Sequence, residues 1–301
     1  MLAIESKNRR ELLQRALFFL SNERRKRIDR WLRGRKEHAK LSRADHVIVS
    51  AAKSGRTWLR VMISRTYQQQ YGLPTNDLLG FDNFHELNSE IPRILSTHDN
   101  YIRDYTGHLE DKRDYRGRKI LFLVRDPRDV AVSQYFQWKY RMHPNKKALL
   151  SEVVDDGNVG LFDLVTHPLR GIQRNMRFLK GWRDGLEELE TFQIVRYEDL
   201  RSDTIEQLDR TMRFLDLKCD HKTLEDAVSW AALEKMRQRE QDLSEKTRSV
   251  RLAPGDPGNP DSYKTRRAKV GGFVDYFDED ELTRINALLD EEVMRYFGYS
   301  I

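Results

Sequence analysis

The sequence predicts a single α/β domain with a central parallel sheet flanked by helices, preceded by a helical extension at the N-terminus. Short apolar, β-branched runs recur along the chain, and each is followed by a loop and a helical stretch. Strands that alternate with helices are typical of a parallel sheet covered on both faces. We place the extension at residues 1–44 and the domain at residues 45–301, which is enough chain for one sizeable core.

Composition and charge exclude several protein classes. Of the 301 residues, 34% are charged and 39% are hydrophobic, as is typical of a soluble protein. The longest apolar runs, such as "KILFLV", fall far short of the ~18 residues that a spanning helix requires, and no secretory signal peptide is expected. Cys219 is the sole cysteine, so an internal disulfide and a cysteine-clustered metal site are excluded. A reducing, cytoplasmic location fits.

The N-terminal segment is the basic part of the chain. Residues 5–37 are predicted to be helical, since apolar residues from Leu12 to Leu20 recur at helical spacing. Residues 1–46 hold 14 basic and 6 acidic side chains, whereas the whole chain carries a net charge of +6. The segment is interpreted either as a helix packed on the body or as a surface-seeking helix that meets anionic lipid at the inner face of a membrane.

The domain is predicted from strand–helix pairs in order. "HVIVS" at 46–50 indicates a buried strand, and the helix 56–72 follows its loop. The second pair is the strand 119–124 with the helix 129–141, and a third strand is predicted at 192–197. A short apolar stretch before "THDN" is a further strand candidate.

The C-terminal third is predicted to be less regular. The polar, Gly- and Pro-containing stretch 238–272 indicates a long mobile loop, and loops of that length are usually functional or disordered. One last helix is expected from about residue 280 to 296.

A phosphate-binding loop is predicted where the first strand meets its helix. In "SAAKSGRTWL" the strand ends, small residues turn, and a helix begins, which directs backbone N–H groups and the positive helix end at an anion. Lys53 adds a positive charge, Ser54 and Thr57 add hydroxyl donors, and Gly55 permits close approach. The loop differs from a Walker A motif because Lys53 precedes the last glycine.

A second anion site is predicted after the second strand. Arg125 ends that strand and Ser133 follows eight residues later on the helix. A guanidinium and a hydroxyl in this arrangement can donate to a phosphate. Pro127 fits the first turn of the helix, and Asp126 or Asp129 can cap it.

These motifs resemble those of the sulfotransferase family, which uses 3′-phosphoadenosine 5′-phosphosulfate (PAPS). "AKSGRTW" resembles the family's P-K-S-G-T-T-W loop, with Arg56 in place of a Thr, and Arg125 with Ser133 resembles its 3′-phosphate motif. The resemblance implies a P-loop-like sulfotransferase fold, and that Lys53 contacts the bridging oxygen and the sulfonate. It also implies that Trp58 stacks on the adenine.

Three later segments resemble the family in the expected order. "VRYEDL" would bring Tyr197 near the adenine, and "ALEKM" would line the base with Leu233 in place of an aromatic residue. "TRRAKVGGFVDYF" resembles the loop that closes over the 3′-phosphate, with Arg266 and Arg267 as its basic pair and Ala268 in place of a glycine.

Sulfonate transfer needs a base for the acceptor proton, and histidine suits that step. His98 in "STHDN" matches the family's K-T-H segment, which carries the catalytic base, although Ser96 replaces the Lys. His85 is the competing candidate. No metal is required, since Lys53 and the arginines meet the charge of the nucleotide.

The acceptor site is expected near residues 76–92 and 136–170, where aromatic side chains could hold a lipid, a steroid-like ring or a sugar face. The candidates for acceptor contact are Phe81, Phe84, His85 and Phe136. The sequence thus predicts sulfonate transfer from PAPS to a hydroxyl or amine of a small-molecule, lipid or glycan acceptor. The alternatives are a nucleotide-dependent kinase and a non-enzymatic protein that binds a membrane surface or nucleic acid. The leading hypothesis involves no nucleic acid and leaves the oligomeric state open.

Overall fold

The structure is a computed structural model that describes residues 20–75, 77–142, 147, 159–245 and 254–301. The predicted helix at the chain start falls partly on residues 1–19, which lie outside the described residues. Within the described ranges, every helix is too short or too polar to span a bilayer.

Four parallel strands form the central sheet. They are β1 (His46–Ser50), β2 (Ile94–Thr97), β3 (Lys119–Val124) and β4 (Phe192–Arg196). Their order across the sheet is β2-β1-β3-β4, and every neighbouring pair is parallel. The predicted α/β fold with a parallel sheet is confirmed, and the stretch before His98 is the edge strand β2.

Of the described helices, one precedes β1, and the others lie in the connections between the strands or after the last strand. They are α1 (Asn22–Leu41), α2 (Arg56–Tyr71), α3 (Asn83–Leu87), α4 (Asn100–Thr106), α5 (Pro127–Tyr140), α6 (Leu161–Thr166), α7 (Gly171–Leu186), α8 (Tyr197–Ser202), α9 (Thr204–Phe214), α10 (His221–Trp230), α11 (Leu233–Glu245), α12 (Glu279–Asn286) and α13 (Glu291–Tyr296). Short 3₁₀ turns at Arg113–Tyr115, Pro260–Ser262 and Gly272–Tyr276 complete the regular structure.

The sheet separates two apolar layers because successive strand residues point to opposite faces. Val47, Val49 and Phe122 belong to one cluster, whereas Ile48 and Leu121 belong to the other, and all five side chains are inaccessible to solvent. Burying one such aliphatic side chain contributes roughly 1.5–3 kcal/mol. The two layers hold the strands in register, so the residues that follow the strands meet at one edge.

Two C-terminal elements differ from the sequence prediction. The expected loop over 238–272 begins later, because α11 continues to Glu245. The expected last helix is two helices: α12 ends at Asn286, and Asp290 starts α13 by accepting a hydrogen bond from the Val293 amide at 3.1 Å. An aspartate that caps a helix interrupts the apolar periodicity only slightly, so the pattern alone did not reveal the break.

The helix α1 packs directly on α4. Gly34 is buried at the crossing, where a Cβ atom would lie 2.0 Å from the carbonyl oxygen of Tyr101. Arg30 adds an ion pair to Asp104, with 2.7 Å between nitrogen and oxygen. Within residues 20–41, the N-terminal segment is therefore a helix packed on the body, the first of the two interpretations of its sequence.

Candidate active site

One large cavity, about 1440 Å³ in volume, opens at the carboxyl edge of the sheet. Residues that follow each of the four strands line it: Lys53 after β1, His98 after β2, Arg125 after β3 and Tyr197 after β4. Clefts outside the carboxyl ends of parallel strands are the usual ligand sites of open α/β sheets. The cavity is therefore the candidate site.

The loop after β1 bends through two left-handed residues before α2 begins. Lys53 has a φ of +79° and Gly55 a φ of +91°, and a Cβ atom on Gly55 would lie 2.5 Å from the Tyr197 ring. Successive N–H groups in such a turn form a concave anion-binding nest at the helix N-terminus. Gly55 is required both by its backbone conformation and by the closeness of Tyr197.

Lys53 lies among other cations. Burial, together with Arg141, Lys264 and Arg125, lowers its pKa to about 7. Burial and neighbouring arginines likewise lower the pKa of Lys264 to about 7. An anion in the cavity would relieve this repulsion, so the electrostatics favour a negatively charged ligand.

Arg125 is held next to the N-terminus of α5 by three groups. Its Nη2 atom lies 3.0 Å from the Asp129 carboxylate and 3.0 Å from the Lys269 carbonyl oxygen, and its guanidinium lies 4.3 Å from the centre of the Tyr197 ring. The Asp129 carboxylate also accepts the amides of Gly271 and Phe273, each at 3.0 Å. Asp129 thus ties the 266–273 loop to the helix start, while Asp126 is the residue that caps α5.

Aromatic and apolar side chains line the cavity beside the loop after β1. Trp58 donates its indole N–H to the Ala231 carbonyl at 2.9 Å, and its ring meets Tyr197 edge-on at 5.9 Å between centres. Leu233 and Met236 line the cavity next to these rings. Apolar and aromatic walls of this kind suit a nucleobase.

The loop that carries Arg266 and Arg267 lies across the cavity. Both guanidinium groups contact the Tyr276 hydroxyl, and Arg266 also lies 3.7 Å from the centre of the Phe136 ring. Ala268 has a φ of +51°, in the left-handed region that favours glycine. Buried Glu240 fixes the start of the loop by accepting the amides of residues 264 and 265.

His98 is oriented by a hydrogen bond at each ring nitrogen. Its Nδ1 atom lies 2.7 Å from the Ser50 carbonyl oxygen, and its Nε2 atom lies 2.8 Å from Nη2 of Arg56. A carbonyl oxygen only accepts and a guanidinium only donates. The hydrogen bonds therefore select the neutral ring with its proton on Nδ1 and its lone pair on Nε2. Arg56 also donates to the Thr97 carbonyl.

Comparison with known proteins identifies the family. The model of the family described as "Sulfotransferase domain" matches residues 43–297. The chain belongs to the sulfotransferase family. The expected enzyme class, a PAPS-dependent sulfotransferase, and the expected fold are confirmed.

Curated relatives of this sulfotransferase are distant. Cytosolic sulfotransferase 15 of Arabidopsis thaliana is 24% identical over 288 residues, covering 85% of this chain and 74% of the relative. Sulfotransferase 2A2 of Rattus norvegicus is 24% identical over 206 residues, covering 63% of this chain and 65% of the relative.

Two solved structures share the fold. A mouse sulfotransferase complexed with PAP (adenosine 3′,5′-bisphosphate) has a TM-score of 0.53 at 18% identity, covering 86% of this chain and 90% of that chain. Retinol dehydratase in complex with androsterone and PAP has a TM-score of 0.54 at 17% identity, covering 85% of this chain and 82% of that chain.

The sulfotransferase cavity gathers most of the residues singled out in the sequence. The predicted residues that line it are Lys53, Gly55, Arg56, Thr57, Trp58, Phe81, His98, Arg125, Ser133, Tyr197, Leu233, Arg266, Arg267 and Ala268. Four others do not line it. Ser54 is buried within its loop, and Phe136 lies behind Arg266. Phe84 is a core residue with 1% exposure, and His85 is turned towards the Ile91 carbonyl, 2.7 Å from its Nδ1 atom.

Phe84 and His85 were expected at the acceptor, and the structure does not bring them there because α3 uses its apolar face for the core. Sequence reasoning also missed contributors. Asp129 was considered only as a cap, and Glu240, Lys264 and the lining residues of α1 were not considered. Their roles depend on contacts between distant segments. In the described part of the chain, no three His, Cys, Asp or Glu side chains form a candidate metal site.

Proposed function

We propose that this cavity binds PAPS through the residues above and transfers its sulfonate to a hydroxyl or amine of the acceptor by in-line displacement. His98 is the general base, and Lys53 stabilises the leaving phosphate. The observation that carries the proposal is the Nε2 lone pair of His98, held in the same cavity as Lys53 and Arg125.

The donor groups fit the two anionic ends of such a nucleotide. Arg125 Nε is buried and has no hydrogen-bond partner among the described residues, so a phosphate oxygen would satisfy a donor that is otherwise costly to bury. The lowered pKa of Lys53 also supports an anionic ligand, because a bound anion would stabilise the ammonium form of this side chain.

The proposed binding roles divide by position. The loop amides of Ser54 and Gly55, with Lys53, Arg56 and Thr57, hold the 5′-phosphosulfate end. Arg125, Ser133, Arg266, Arg267 and the backbone at Ala268 hold the 3′-phosphate. Trp58, Tyr197 and Leu233 hold the adenine.

PAPS supplies an activated sulfonate, so the chain's residues need only position the acceptor and manage charge. His98 takes the proton of the acceptor hydroxyl on Nε2, in the place that the Arg56 N–H occupies. The acceptor oxygen bonds to sulfur as the bond from sulfur to the bridging phosphate oxygen breaks. The Lys53 ammonium stabilises the negative charge that develops on that oxygen.

Titration calorimetry with PAP tests the proposal directly. We expect binding in the micromolar range, with affinity reduced in an Arg125→Gln variant because a charge-assisted hydrogen bond contributes about 1.5–3 kcal/mol. Absence of heat at millimolar PAP, or equal affinity for ATP with Mg²⁺, would contradict it. The second result would favour the kinase alternative, which the family assignment already argues against.

The proposal also concerns where in the cell the protein acts. A cytoplasmic site of action is supported by the single cysteine and by relatives named as cytosolic sulfotransferases. Association of residues 1–46 with an anionic membrane is supported only by their basic composition. Co-sedimentation of the full chain with phosphatidylserine vesicles, compared with neutral vesicles, tests that association.

A further inference from the structure

The acceptor wall is the part of the cavity lining contributed by α1, α4 and α7 together with Arg170, which precedes α7. None of these elements carries a phosphate motif. The basic side chains of the wall are Arg33, Lys36, Lys40, Arg103, Arg170, Arg174 and Arg177. Its only Asp or Glu side chain is Glu37, whose pKa is raised by burial. The wall is therefore strongly electropositive.

Some of these cations are neutralised by carboxylates. Arg33 pairs with Asp29 at 2.7 Å and Arg103 with Asp99 at 3.4 Å. By contrast, Lys36 and Arg177 have no carboxylate within ion-pair distance in the described part of the chain, and Arg177 donates instead to the Pro168 carbonyl at 2.9 Å. A positive surplus remains on the wall.

The aromatic rings near this wall do not offer a bare apolar surface. Cations lie over Phe81 (Lys40, 5.2 Å, and Arg43, 5.6 Å), over Tyr101 (Arg30, 5.4 Å, and Arg33, 5.7 Å) and over Trp138 (Lys147, 4.8 Å, and Arg170, 5.6 Å). Such contacts are favourable where they stand. A neutral steroid-like ring would have to displace them before it could stack.

We infer that the acceptor of this enzyme is itself anionic: a hydroxyl compound that carries a carboxylate, sulfate or phosphate, which the acceptor wall binds while the hydroxyl faces His98. The inference rests on the proposed function, since it assumes that the nucleotide occupies the other part of the cavity. Charge complementarity would then supply both orientation and selection against neutral compounds.

The test uses full-length protein saturated with PAP and two matched probe pairs. One pair is a glucuronate-containing trisaccharide and its carboxyl-reduced counterpart, and the other is inositol monophosphate and inositol. We expect at least one anionic probe to bind tenfold or more tightly than its neutral partner, with an affinity that falls as salt is added. The pair that responds distinguishes a carboxylate from a phosphate group.

Variants locate the binding. Lys36→Gln and Arg177→Gln should each weaken the anionic probe about threefold, as expected for exposed ion pairs, and the double variant about tenfold. The matched controls are Arg35→Gln and Lys180→Gln, exposed basic residues on the same two helices outside the cavity lining. They should leave the affinity unchanged.

The outcomes separate the two levels of inference. Failure of PAP to bind the wild-type protein overturns the proposed function itself. If PAP binds but no anionic probe exceeds its neutral partner, or if the control variants weaken the probe equally, the anionic acceptor is overturned. If Lys36→Gln weakens PAP as much as the probe, the wall attracts the nucleotide and the inference fails as well.

Discussion

The two parts of the cavity are built from different kinds of structure. The proposed phosphate-binding part consists of tight loops at strand ends, where backbone amides, Lys53 and Arg125 lie within a few residues of β1 and β3. The acceptor wall consists mainly of side chains on the faces of helices, set by how α1, α4 and α7 pack. Backbone loops leave little room for variation, whereas a helix face can exchange side chains without disturbing the sheet. The proposed reaction therefore depends mainly on backbone geometry, and the proposed choice of acceptor depends mainly on side chains.

The largest expected effect comes from His98, the proposed general base. His98→Asn should lower kcat by about 10²–10⁴-fold, the usual contribution of a positioned general base. PAP affinity should stay within about threefold of wild type, a span of ~0.7 kcal/mol. Turnover with labelled PAPS and PAP calorimetry measure the two quantities. The exposed His221→Asn serves as control, and a turnover loss below tenfold would remove His98 from the base role.

Lys53→Ala should follow, with kcat lowered by about 10²–10³-fold, as for loss of one donor that stabilises developing charge. Unlike the His98 variant, it should also weaken PAP, because Lys53 belongs to the phosphate-binding part. The exposed Lys222→Ala is the matched control. If Lys53→Ala left PAP affinity unchanged, Lys53 would not belong to the phosphate-binding part.

Arg56 connects the proposed phosphate-binding part with the proposed base, since it begins α2 and contacts His98. Arg56→Gln should lower kcat/KM by about 10–100-fold, because a charge-assisted hydrogen bond of about 1.5–3 kcal/mol is lost. The acid limb of the pH–rate profile should also move to higher pH, since a positive neighbour disfavours the imidazolium form. The control is Arg210→Gln on the exposed face of α9. A rate loss with an unmoved profile would indicate only a structural role.

The smallest expected effect is the pH dependence of PAP binding. The pKa of Lys53 is about 7 without ligand, and bound phosphate raises it, so binding above pH 7 takes up a proton. PAP affinity should therefore fall from pH 7.5 to 8.5, by about tenfold for each proton taken up.

Calorimetry in buffers of different ionisation enthalpy measures that uptake. Lys53→Arg, which remains charged, should reduce it, while Lys264, whose pKa is also about 7, contributes the remainder. If protons were released on binding instead of taken up, PAP would not be raising the pKa of these lysines, and the explanation would be excluded.

The residues of the proposed phosphate-binding part could be singled out from the sequence because their signals are local, and the structure brings them to one cavity. Lys53, Gly55 and Arg125 stand beside apolar strand runs, so the motif and its position in the fold appear together. Ala268 illustrates the limit, since its left-handed backbone became visible only in the structure.

The acceptor wall could not be predicted in the same way. The hydrogen bond from Arg56 to His98 joins residues 42 positions apart, and no spacing rule reports it. Phe84 was assigned to the acceptor because it is aromatic, yet helix packing turns it into the core. Likewise, the sequence around Lys36 indicates only a basic surface helix. The packing of α1 on α4 is what brings Lys36 to the cavity. The association of residues 1–46 with a membrane stays a prediction.

Gly34 sets how closely α1 approaches α4 and thereby fixes the position of the acceptor wall. Because the helix backbones touch there with no side chain between them, an added methyl group must push α1 away from α4. Gly34→Ala would thus destabilise the packing of α1 on α4 and displace a whole row of cations at once, because a clash with backbone cannot be relieved by a side-chain rotation. The charge pattern of the acceptor wall is therefore coupled, through one glycine, to the packing of two helices.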